Sequence, residues 1–108
     1  MVSYTELEKG GWRRLSLAEQ MGNVGSEVSR TISWRTRGNE PYANRAFERA
    51  LELLDLTHAD GRWTGRRRRE IARAREALCS DFLLRDDAGL RSLDRYFMAF
   101  ALLARRTR

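Results

Sequence analysis

The sequence holds one cysteine, one proline, one histidine and, among its 21 lysines and arginines, a single lysine. Each scarcity excludes something. Cys79, being alone, forms no intrachain disulfide and offers neither a thiolate cluster for zinc nor a redox pair, so a reducing cytoplasm is the expected compartment. Lys9 belongs to no G-x-x-x-x-G-K-[ST] run, and nucleotide hydrolysis on a phosphate-cradling loop is not expected. No run of about 18 apolar residues occurs. The opening "MVSYTELEKGGW" lacks the basic head and apolar stretch of a secretory signal, so no membrane partner is expected.

Catalytic groups are equally sparse. Acid–base chemistry needs convergent groups with tuned pKa values, yet His58 stands alone at the end of a helical segment. Cys79 sits at the border of an apolar stripe, as a small core residue does. Glu48 and Glu52 share a helix face, but the Glu-x-x-His motifs of di-iron bundles are missing. Pairing with Arg45 and Arg49 is expected instead. No metal, no cofactor and no enzymatic activity are expected.

What the chain does have is arginine and helical periodicity. With 108 residues, 42% of them hydrophobic, it is the size of one domain. Its formal net charge of +6 and pI near 10.6 suit a polyanionic partner. Guanidinium forks fit phosphate well, although a GC-rich genome produces the same arginine bias.

A polar tail, residues 1–14, carries a Gly10-Gly11 hinge and is anchored by Trp12; its first half is expected to be mobile. Residues 15–108 form the body. Ser16 and Glu19 make a capping box, after which Leu17, Met21, Val24, Val28 and Ile32 recur at helical spacing. Gly38 and Asn39 end this segment, and Pro41 suits the first turn of the next. There the core face reads Ala43, Ala46, Phe47, Ala50, Leu51 and Leu54, with Leu53 at its border.

Thr64 or Gly65 caps a third segment with Ile71, Ala74, Leu78 and Phe82 inward and Arg66, Arg69 and Arg73 on another face. Arg75 falls between these faces, its stem along the core and its head on a carboxylate or in water. A fourth segment begins after "RDDAG", with Leu90, Leu93, Phe97, Phe100 and Ala104 inward. The expected fold is all-α, an antiparallel four-helix bundle with connections of roughly five to eight residues.

Two surfaces invite partners. Ala18, Gly22, Gly25 and Ser29 form a small-residue row, and Tyr96, Met98, Leu102 and Leu103 spread apolar surface around the last helix. Gly22, Gly25, Met98 and Leu102 are therefore expected at the interface of a homo-oligomer or with a protein partner. The second surface centres on "GRWTGRRRREIARAR", where four arginines occupy a helix start that the helix dipole makes unfavourable for cations. A phosphate received there offsets the repulsion. Arg62, Trp63, Arg66, Arg69 and Arg73, with Arg105, Arg106 and Arg108, are the expected nucleic-acid contacts, meeting backbone rather than base sequence. A polar stripe of Glu19, Asn23, Ser26, Arg30 and Trp34, with Glu27 beside it, reads as an exposed face paired through Glu27 and Arg30.

The blocks "SLAEQMGNVGSEVSR", "AFERALELLDLT", "RRREIARAREALC" and "LDRYFMAFALLAR" resemble a family of small uncharacterised all-helical proteins of archaeal and bacterial genomes. That family often has Asp-Pro where this chain has Asp60-Gly61, and a longer "DNEYG"-like loop in place of "RDDAG". More remotely, the chain is similar to the four-helix proteins of ribosomal RNA intervening sequences and to Avd, the accessory protein of diversity-generating retroelements. The second resemblance implies a basic oligomer working with a reverse transcriptase and nucleic acid; a structural or protein-binding bundle is the alternative.

Overall fold

Ser16 opens the first helix as its spacing to Glu19 predicts. Its hydroxyl accepts from the Glu19 amide at 3.1 Å while the Glu19 carboxylate accepts from the Ser16 amide at 3.0 Å. The computed structural model describes residues 10–106. The first half of the tail and Arg108 lie outside the described residues. A 3-10 turn, Trp12–Arg14, leads into α1 (Leu17–Thr36), α2 (Glu40–His58), α3 (Gly65–Leu83) and α4 (Asp87–Arg106). Residues 37–39 and 84–86 join the helices in tighter turns than expected, with Gly38 and Arg85 supplying the positive φ each reversal needs.

The result is an antiparallel four-helix bundle, and the described residues contain no strand. α1 packs closely against both α2 and α4, while α3 closes the ring more lightly against the same two neighbours. Met21, Val24 and Val28 of α1 meet Leu54, Ile71, Leu78, Leu90 and Phe97 in one core. Phe47 and Phe82 stack with centroids 3.9 Å apart, which joins α2 to α3.

Two expectations about packing are corrected. Leu53, placed at the border of the α2 stripe, is 3% exposed, whereas Leu51 is only half-buried. α2 has neighbours on two sides, α1 and α3, which turns its buried arc past the single stripe that periodicity gives. The small-residue row, expected at a subunit interface, receives α4 of the same chain. A Cβ added to Gly25 would stand 2.7 Å from Phe97 Cβ, and one on Gly22 3.1 Å from Ala101 Cα. Glycine is what allows these two helices to approach.

Candidate nucleic-acid interface

The antiparallel topology gathers four chain segments at one end of the bundle. The start of α1, the α2–α3 connection, the start of α3 and the end of α4 all lie there. They bring Arg13, Arg14, Arg62, the run Arg66 to Arg69, Arg105 and Arg106 onto a single end, against Glu19, Asp60 and Glu70. At the opposite end Arg35, Arg37, Arg85 and Arg91 are balanced by Glu40, Asp81, Asp86 and Asp87. The positive charge of the protein is concentrated at the first end.

Arg66, Arg69 and Arg73 are exposed on the side of α3 turned away from Ile71 and Leu78. Among the described residues they form no ion pair. The start of α3 differs from the other three helix starts. The side chains of Ser16, Asn39 and Asp86 each accept a backbone amide at the entrance of α1, α2 and α4, whereas the Thr64 side chain accepts none and the first turn of α3 holds no acid. Its amides are left for another acceptor.

Arg62 and Trp63 have a different part. Arg62 Nη2 donates to Asp60 Oδ2 at 2.7 Å and to the Leu15 carbonyl at 2.7 Å, and its Nε donates to Asp60 Oδ1 at 3.1 Å. Asp60 is 2% exposed. The Arg62 guanidinium holds the Asp60 carboxyl well below the usual carboxylate range, with Gln20 and the Arg62 amide adding to the effect. Gln20 Nε2 donates to both Asp60 and the Trp12 carbonyl, Trp12 Nε1 to Thr57, and Trp63 Nε1 to Gln20 Oε1 at 2.8 Å. Half-buried Trp63 and the ion-paired head of Arg62 thus belong to a network that locks the tail turn and the α2–α3 connection onto α1.

The other sequence candidates resolve into bonds within the fold. His58 accepts from Arg68 Nε at 3.3 Å, and Arg75 Nε donates to Asp55 at 2.7 Å, which decides between the carboxylate and the water that its position between two faces left open. Glu52 meets Arg49 at 3.6 Å, while Arg45 lies over the Tyr42 ring. In the polar stripe of α1, Asn23 and Ser26 bond to carbonyls of their own helix and Glu27 pairs with Arg30. Glu27 itself is buried rather than exposed. Sequence reading missed Gln20, Thr31 and Thr57, all fully buried. For Gln20 and Thr31 the available signal was spacing, since Gln20, Val24, Glu27 and Thr31 form a second stripe beside the apolar one.

Met98 and Leu102, expected at an interface, are 45% and 50% exposed on α4. Among the described residues no cluster of metal-ligating side chains occurs, and no helix is long and apolar enough to cross a membrane. The chain matches no family model, no curated protein and no solved structure.

Proposed function

We propose that this protein is a non-enzymatic bundle that binds the phosphate backbone of nucleic acid with its arginine-rich end. The observation that carries the reading is the asymmetry of charge: one end collects arginines from four segments, and the other is balanced. Arg66, Arg69 and Arg73 stand on one exposed face, with the uncapped start of α3 beside them as a further acceptor of anions. Arg105 and Arg106 extend this surface. Arg62 contributes through its partly exposed head while anchoring the loop.

Contacts of this kind displace counterions, so affinity falls steeply with salt. The test is binding of labelled DNA and RNA across a salt series by wild-type protein and by the triple variant Arg66→Gln, Arg69→Gln, Arg73→Gln. Each arginine lost is expected to lower the salt slope by about one. Unchanged binding by the triple variant would refute the assignment.

A second reading has its own support in the exposed Met98 and Leu102, four residues apart on α4: a homo-oligomer formed through that face. The two combine naturally. A basic oligomer presenting nucleic acid to a larger enzyme, such as a reverse transcriptase, is the cellular role the resemblance points toward.

A further inference from the structure

Away from the arginine-rich end, the surface between α1 and α2 holds a shallow groove of about 360 Å³ lined by Glu27, Arg30, Trp34, Tyr42, Arg45 and Arg49. Trp34 and Tyr42 meet edge to face with centroids 4.8 Å apart, and Tyr42 is 44% exposed. A guanidinium lies over each ring, Arg37 over Trp34 at 5.2 Å and Arg45 over Tyr42 at 5.1 Å. Arg30 is paired with Glu27 and Arg49 with Glu52. Arg37 and Arg45 have no carboxylate partner among the described residues. Two unpaired cations therefore stand on this aromatic pair, Arg45 within the groove and Arg37 beside it, and the groove's own lining carries three arginines against one glutamate.

We infer that this groove takes an unpaired base of a single-stranded nucleic acid, stacked on the exposed ring of Tyr42 with Trp34 at its edge, and the flanking phosphates held by Arg45 and, beside the groove, Arg37. Aromatic faces receive any base, and arginines beside them follow the backbone. Clefts that hold small ligands run from about 300 to 1,000 Å³, and at about 360 Å³ the groove falls at the low end of that range. A duplex is excluded because its bases are already stacked on one another. The inference rests on the nucleic-acid reading above but uses a different surface. At about 1.5 Å of rise per residue, Trp34 lies about 27 Å along α1 from Ser16, beyond the reach of a strand of a few nucleotides held at the arginine end.

The indole groups report on the site separately. Trp12 and Trp63 donate to Thr57 and Gln20 inside the fold, while the Trp34 N–H has no partner among the described residues. In isotope-labelled protein, a short oligothymidylate is expected to move the Trp34 indole resonance and leave that of Trp12 in place, and a duplex of equal length is not. Trp34→Ala should weaken the oligothymidylate by about 5- to 100-fold. Arg45→Glu, an exposed change that spares the core, should weaken it as well, and Arg66→Gln, Arg69→Gln, Arg73→Gln should leave the Trp34 response intact. Binding that shifts only residues of the arginine end would overturn the groove and spare the end. A Trp34 response to the strand in wild-type protein whose arginine-end residues respond to no nucleic acid would do the reverse. An equal response to thymidine monophosphate would overturn the assignment to a strand, and no response to any nucleic acid would overturn both.

Discussion

Asp60 is sealed in the base of the bundle with its Oδ2 2.7 Å from Nη2 of Arg62, so a carboxylate inside the fold is held charged by a guanidinium at its rim. Its pKa is lowered in the folded protein. The unfolded chain, with an ordinary aspartate near pKa 4, then binds the proton more readily. The stabilisation is present above that value and is lost as pH falls below it toward the folded value. Asp60 is buried but the Arg62 head is 44% exposed, so losing one partner is expected to cost about 1–3 kcal/mol, as for a buried polar group left unsatisfied. Asp60→Asn is expected to lose stability of that order at pH 7 and to show a flatter decline below pH 4, read from urea unfolding at several pH values. Arg62→Gln should be destabilised similarly, unlike Arg66→Gln, whose side chain has no such partner.

The contact of Gly25 with Phe97 makes a sharper test of packing. A methyl group at Gly25 meets Phe97 Cβ at 2.7 Å, in the middle of the α1–α4 seam. Overpacking of this kind costs about 1–3 kcal/mol, more than the roughly 1 kcal/mol of helix propensity that alanine returns. Gly25→Ala is expected to lower the thermal midpoint. Gly22→Ala, whose Cβ comes 3.1 Å from Ala101 Cα, should do so less. A thermal midpoint raised by Gly25→Ala would mean that the helices have room to separate.

These two sites also mark how far the sequence can be read. The capping box, the Pro41 entrance and the inward Ile71–Ala74–Leu78–Phe82 face all follow from local spacing, because each depends on residues within a few turns. The Gln20–Asp60 bond joins residues 40 apart and the Trp12–Thr57 bond residues 45 apart. No periodicity reports such pairs. The partner of the glycine row was equally hidden, since a small-residue stripe accepts a helix of its own chain or of another alike. At the candidate site, the exposed arginines of α3 were legible, but the tying of Arg62 and Trp63 into the fold and the aromatic groove of α1 and α2 depend on which elements become neighbours.

Arg35 was not anticipated at all. Its guanidinium lies 3.9 Å from the centre of the Phe82 ring, and its Nε and Nη1 are buried with no hydrogen-bond partner among the described residues. Desolvated donors left unpaired oppose folding by about 1–3 kcal/mol, which the cation–π contact offsets in part. Methionine fills the same space and keeps a favourable contact with the ring. Arg35→Met is therefore expected to raise stability by about 1 kcal/mol in chemical denaturation. A loss of that size would mean that the guanidinium contact outweighs its desolvation.

The outer side of α4 decides between a monomer and an assembly. Met98 and Leu102 are about half exposed and four residues apart, so they share one strip of the helix, while Phe97 and Ala104 are committed to the core. A carboxylate placed on the strip leaves the core untouched but cannot be buried unpaired between two subunits. If copies associate through this strip, Met98→Glu with Leu102→Glu will convert a discrete oligomer into a monomer of 12.6 kDa with unchanged helical content, measured by light scattering and circular dichroism. A wild-type protein that is already monomeric across the accessible concentration range would remove the oligomer reading. The arginine-rich end would then act alone, because every residue of that surface comes from a single chain.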